Sequence, residues 1–173
     1  GTAVAVNGTA GADVMNGTTA PDTLRGGNGN DSLYGNDGSD ILYGQDDNDV
    51  LYGHAGADTL IGGAGTDQLY GGTGSDVFGF TTLGDGVDNV NDYTSGDRLN
   101  ITDILSGFNQ GVDDIDLFVS IRQVGTKAFF AVNADGVGTD FVDAFAVKGT
   151  AFVGQTADDL LNAGILIVNQ SLV

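Results

Sequence analysis

The sequence contains no cysteine and no glutamate, a single histidine, and five basic residues against 24 aspartates. Each scarcity closes a class of function. Without cysteine there is neither a disulfide framework nor a thiol nucleophile. With His54 alone there is no HExxH zinc pair, and no GxSxG nucleophile elbow occurs. Arg25, Arg98, Arg122, Lys127 and Lys148 are the whole basic complement of a chain with a formal net charge of −19. That balance makes nucleic acid an unfavourable partner and an anionic membrane surface an unattractive one. No apolar run is long enough to cross a bilayer, so membrane insertion is not expected, and no signal-peptide pattern is visible.

What is present is glycine and aspartate in strict phase. From residue 8 to residue 79 a nine-residue unit repeats eight times without a gap. Position 1 is Gly throughout, position 8 is apolar throughout (Met15, then Leu24 to Leu69, then Phe78), and position 6 is always Asp. Gly holds position 4 in six of the eight units; Ala20 and Asp47 are the departures. The consensus is G-G-x-G-x-D-x-U-x, a pattern of calcium-binding parallel β-helix repeats. A glycine-rich half makes a tight turn, and the x-U-x remainder alternates outward, inward, outward as a short strand. Two units then close one coil. The expected fold is all-β: a parallel β-roll with two short-stranded sheets, odd units on one and even units on the other, around a file of Leu.

One apolar side chain per nine residues buries too little surface to offset backbone ordering, which costs about 1–2 kcal/mol per residue. The aspartates supply the remainder. The carboxylates of Asp13, Asp22, Asp31, Asp40, Asp49, Asp58, Asp67 and Asp76 recur on the turn edges of the coils. Successive carbonyls of an extended turn point to opposite sides, so those of Gly26, Gly27, Asn28, Gly29, Gly35, Gly38, Gly44, Gly53, Gly56, Gly62, Gly63, Gly65, Gly71, Gly72 and Gly74 are the expected backbone partners. A cation between unit i and unit i+2 then meets about six hard oxygens, which suits calcium rather than zinc. Three gaps on each edge imply about six calcium ions. Unit 2 is the poorest, with Ala20 and Pro21 in its turn.

These units resemble the RTX (repeat-in-toxin) family of bacterial secreted proteins. The resemblance implies a chain unfolded in the cytosol, exported by type I secretion machinery, and folding outside the cell where calcium is plentiful. A cysteine-free chain suits such a route.

Residues 1–7 read as a lead-in strand or linker, 8–79 as the roll, and 80–173 as a β-rich C-terminal cap carrying one short helix. Position 9 places Tyr34, Tyr52 and Tyr70 on odd units, an outward ladder that reads either as cross-strand packing or as a glycan strip. From Phe78 the period breaks. Residues 88–101 resemble the DxIxDFxxGDxLDLS stretch that closes such rolls, with Tyr93 and Asn100 departing from it, and Asp88, Asp92 and Asp97 are candidate cap ligands. Strands are expected at 115–124, 128–133, 141–149 and 165–168, and a helix over 157–162 capped by Thr156 and ended by Gly164. Phe108, Phe118, Phe129, Phe130, Phe141, Phe145 and Phe152 supply the core that the roll lacks.

The FxF, DxIxDFxxGD and LLxxGxL spacings resemble the C-terminal target domain of giant type I secreted adhesins. On that resemblance the chain is a non-enzymatic module of a Gram-negative adhesin, secreted and cell-surface associated, meeting a surface glycan or a host or biofilm receptor through upstream domains. The alternative is the RTX tail of an exported metalloprotease, lipase or alginate epimerase.

Overall fold

The computed structural model describes residues 1–105, 115–133, 141–149, 152 and 154–168. Every repeat contributes one strand. After β1 (Ala5–Asn7) come β2 (Val14–Asn16), β3 (Thr23–Gly27), β4 (Ser32–Asp37), β5 (Ile41–Asp46), β6 (Val50–Ala55), β7 (Thr59–Ala64), β8 (Gln68–Thr73) and β9 (Val77–Gly79). Each pairs in parallel with the strand two places on, so one coil takes two units and odd and even units lie on separate sheets. The lead-in is itself a rung, with Val6 opposite Leu24.

The strands are longer than x-U-x. From β4 to β8 each is six residues, running from position 7 through the following unit's position 3. The glycine-rich half therefore contributes to the ladder, contrary to the expectation that it only turns. The reason is stacking: every residue of a turn sits over the same position of the next coil, so backbone pairing continues through it, as where Gln45 pairs with Gly63 and His54 with Gly72. Inside, Met15, Leu33, Leu51 and Leu69 form one column and Leu24, Leu42, Leu60 and Phe78 the other. All eight are buried.

The columns do not stop at Phe78. Strand β10 (Asp88–Val90) adds to β8 with Val90 over Leu69, and β11 (Arg98–Asn100) adds to β9 with Leu99 over Phe78. Residues 83–91 and 92–100 are thus two further nine-residue units, displaced by the insertion of residues 80–82 and lacking the position-1 glycine. Leu83 and Asp92 stand in its place. The insertion turns Phe80 inward, where its ring stacks on Phe145 at 3.7 Å, and the Thr82 hydroxyl donates to the Gly63 carbonyl at 2.7 Å.

Beyond it, β12 (Val119–Val124), β13 (Lys127–Val132) and β14 (Val142–Lys148) form an antiparallel meander whose last strand is also the next parallel rung, pairing with β10. Strand β15 (Leu166–Ile167) caps β11 in the same parallel sense. The expected strand at 115–124 starts only at Val119, since Ile115–Leu117 is a 3-10 turn. Helix α1 (Ala157–Asn162) has the expected Thr156 cap, in a capping box with Asp159, and Gly164 follows it with φ of 71°. Phe130, Phe145 and Phe152 pack edge and face in the cap core, while Phe108 lies outside the described residues.

Leu51 is fully buried in the single core cluster that the two columns form, and the stacked coils leave little room to relax around a void. We expect Leu51→Ala to cost about 3 kcal/mol in calcium-saturated thermal or urea unfolding, and Val14→Ala, at a side chain 72% exposed, to stay within about 0.5 kcal/mol of wild type. Comparable losses at both positions would contradict the buried file.

Candidate metal centre

The position-6 aspartates are buried almost completely from Asp22 onward. Their burial is organised by one repeated contact, in which the backbone N–H of each donates to Oδ1 of the aspartate two units later. Asp31 reaches Asp49 at 2.7 Å, Asp40 reaches Asp58 at 2.8 Å, Asp49 reaches Asp67 at 2.8 Å and Asp58 reaches Asp76 at 2.9 Å. One carboxylate oxygen is thereby spent on binding the coils together. The other is not. Among the described residues, Oδ2 of Asp31, Asp40, Asp49, Asp58, Asp67 and Asp76 is buried with no hydrogen-bond partner.

Four of those six oxygens have a shared setting. At Gly26, Gly35, Gly44 and Gly53 a Cβ would run into the unit's own Asp Oδ2 and into the carbonyl oxygen of the position-1 glycine two units on. Glycine is required at position 1 because those two oxygens converge where a side chain would start. A carboxylate facing a carbonyl with no donor between them is a costly arrangement in a dry interior. A hard divalent cation relieves it, and all donors present are oxygens. Among the described residues no three acidic or histidine side chains gather at one point. A cation here would therefore be held by one carboxylate per coil and otherwise by backbone carbonyls, as the motif requires.

Backbone conformation follows the same division. In units 3 to 8 position 2 is left-handed at Gly27, Asn36, Gln45, His54, Gly63 and Gly72, with φ between 74° and 113°. Position 4 is left-handed in the same units, including Asp47 at 76°. Asn36, Gln45, Asp47 and His54 adopt without glycine a conformation that costs most residues about 1 kcal/mol.

The cap aspartates separate into two kinds. Asp88 and Asp97 join the ladder, accepting at Oδ1 from the Asp67 N–H at 3.0 Å and the Asp76 N–H at 2.9 Å. Asp92 instead takes the N–H groups of Gly71 and Gly72, each at 2.9 Å, and closes the end of a strand. The sequence signal for the first two was available: Asp88 and Asp97 are nine residues apart, each followed two residues later by an apolar side chain, Val90 and Leu99. Asp13 and Asp22 depart from the interior pattern, because Oδ2 of Asp13 accepts from the Thr9 N–H and hydroxyl, and Oδ2 of Asp22 from the Thr18 N–H.

On the outer face the tyrosines stack ring on ring, Tyr34 to Tyr52 at 5.0 Å and Tyr52 to Tyr70 at 4.7 Å. Both faces of Tyr52 are covered by the neighbouring rings, which is the geometry of cross-strand packing. His54 lies beside Tyr52 at 5.8 Å.

The model of the RTX calcium-binding nonapeptide repeat (4 copies) matches residues 7–42 and again 43–78. Residues 7–78 are RTX calcium-binding nonapeptide repeats. The fold is similar to the solution structure of the AlgE6R2 subunit of a mannuronan C5-epimerase from Azotobacter vinelandii, with a TM-score of 0.53 and 20% identity over 99% of this chain and 96% of that one. At this identity the likeness concerns the fold alone. Structural similarity is lower to the AlgE6R3 subunit of the Azotobacter vinelandii epimerase (TM-score 0.44, 23% identity, 95% of this chain and 84% of that one) and to the extracellular lipase LipA from Serratia marcescens (TM-score 0.42, 15% identity, 97% of this chain and 40% of that one). No curated protein matches the chain in sequence.

In the RTX column burial raises the carboxyls, with Asp49 pushed up to about 7 and Asp58 to about 6, and Asp40 and Asp76 raised as well. Asp67 and Asp88 are also raised, by burial first, with Asp88 adding repulsion at Asp67. Asp13 is lowered by the hydrogen bonds from Thr9. A carboxyl whose folded value lies above the unfolded value of about 3.9 binds more protons when folded. The metal-free roll therefore loses stability as pH rises from about 4 through about 7 and recovers it on acidification. In chelator, circular dichroism should show more strand at pH 5 than at pH 7.5; the reverse order would contradict the raised column.

With calcium added at pH 7.5, Asp49→Ala should raise the folding midpoint several-fold, and Asp13→Ala far less. The check is a calcium titration of each variant. Equal shifts would deny that the interior carboxylates differ from the terminal one.

Proposed function

We propose that the chain is a calcium-gated, non-enzymatic folding module of a large adhesin exported by type I secretion from a Gram-negative bacterium. The carrying observation is the stack of six buried carboxylates with an unpartnered oxygen, which in Asp31, Asp40, Asp49 and Asp58 lies beside a carbonyl of the coil two units on. At pH 7.5 the stack repels itself, so the roll is unstable at cytosolic calcium. Outside the cell, where modules of this kind bind at about 0.1–1 mM, about six ions neutralise the column and ordering becomes favourable. The ligands are the position-6 carboxylates together with the turn carbonyls, and calcium when bound supplies the positive charge that the basic residues are too few to supply.

The 80–173 segment acts in this reading as the end from which order spreads. Its rungs lie in register on both sheets of the roll, with Val90 over Leu69 and Leu99 over Phe78, so they offer the last repeats a finished template. Its aromatic core needs no metal. The partners are calcium and the export machinery, with any glycan or receptor met by other domains of the parent protein, since the tyrosine faces are occupied by one another.

Calcium titration by circular dichroism at pH 7.5 should show strand appearing with calcium and vanishing in excess EGTA. Full strand content in EGTA would overturn the gating. A reporter fused ahead of the chain should leave cells through a type I exporter and be retained on deletion of 80–173; export unaffected by the deletion would overturn the secretion role, and a processed enzyme attached upstream in the parent would replace the adhesin reading.

A further inference from the structure

The eight repeats share the phase of Gly, Asp and the apolar residue, yet the first two are built differently. Position 2 is Thr only in units 1 and 2, as Thr9 and Thr18. A β-branched residue is strongly disfavoured at positive φ, and neither threonine adopts it, whereas position 2 of all six later units does. Position 4 is likewise free of positive φ at Gly11 and Ala20. The turn of units 1 and 2 therefore follows another path.

The threonine side chain closes that path in the same manner both times. The hydroxyl oxygen accepts from the N–H two residues on, Gly11 to Thr9 at 3.3 Å and Ala20 to Thr18 at 3.2 Å. In both units the threonine N–H donates to Oδ2 of the unit's own aspartate; the Thr9 hydroxyl adds a second donor to Asp13 Oδ2 at 2.8 Å, while the Thr18 hydroxyl lies 3.1 Å from the Thr2 carbonyl oxygen and 3.3 Å from Asp22 Oδ1. In the interior units the corresponding Oδ2 is bare. A donor hydrogen pointing at Oδ2 occupies the side from which a cation would approach, and its partial positive charge repels it.

We propose that the gaps between units 1 and 3 and between units 2 and 4 take no calcium, because Thr9 and Thr18 already hold the carboxylates that would bind it. Threonine stands in for the ion and closes the N-terminal end of the column by neutral contacts. The bare oxygens then assign the gaps from unit 3 onward, ending at those that Asp67 and Asp76 form with the cap rungs carrying Asp88 and Asp97. This rests on the calcium reading above.

The test is ion counting by native mass spectrometry on the full chain at saturating calcium. Wild type and the Asp13→Asn/Asp22→Asn double variant should carry the same number of ions, and Asp31→Asn/Asp40→Asn fewer. Thr9→Gly/Thr18→Gly, which frees both carboxylates and permits the left-handed turn, should carry up to two more, while Thr9→Ser/Thr18→Ser keeps the wild-type count. Fewer ions in Asp13→Asn/Asp22→Asn, or no gain in the glycine variant, would overturn the threonine closure while leaving calcium binding intact. No calcium on any variant would instead sink the calcium reading, and the inference with it.

Discussion

A carboxylate that binds its neighbour with one oxygen and leaves the other bare is the contact on which the whole structure turns. The Oδ1 half fixes an 18-residue coil, because Asp31 can bridge only to Asp49 if the intervening unit crosses to the other sheet. The Oδ2 half makes the same stack electrostatically unfavourable until something positive enters it. Cohesion and repulsion thus come from a single side chain, and the state of the roll depends on which oxygen dominates. Glutamate, one methylene longer, would not fit beside the position-1 glycine, and the sequence contains none.

The remaining features adapt to that contact. Position-1 glycine leaves space for Oδ2, and left-handed residues at positions 2 and 4 carry the chain around it. The apolar file is only one side chain wide because the coil is short, which places most of the hydrophobic surface in the cap. There the solenoid changes character gradually. Units 83–91 and 92–100 keep the aspartate and the apolar column while losing the glycine, and β14 then serves both as a parallel rung and as the edge of an antiparallel meander. Phe80, delivered by the three-residue insertion, ties the two regimes together at Phe145.

Much of this was readable from residues alone, and the misses share a cause. The phase of Asp and Leu, the odd and even sheets, and the Thr156 helix cap are local or periodic properties, visible wherever the period holds. The two extra units do not show in the period because an insertion of three residues shifts the phase and Leu83 and Asp92 replace glycine. The strand predicted at 115–124 begins late, since apolar alternation cannot distinguish a 3-10 turn from a strand end. The tyrosine ladder is legible in the sequence, but whether its rings cover one another depends on a stacking distance.

By itself, the sequence determined the chemistry: an oxygen-only donor set, a nine-residue period, and too few cations of its own to balance its aspartates. Those are matters of residue type and spacing, which no fold can alter. Tertiary structure decided which of these chemically identical aspartates keep a free oxygen. That depends on whether the turn beside each can become left-handed, and on whether a further coil lies beyond it to enclose the gap, as Asp88 does for Asp67. Equivalence in the motif becomes inequality in the stack because burial and backbone handedness are set by neighbours 18 or 21 residues away.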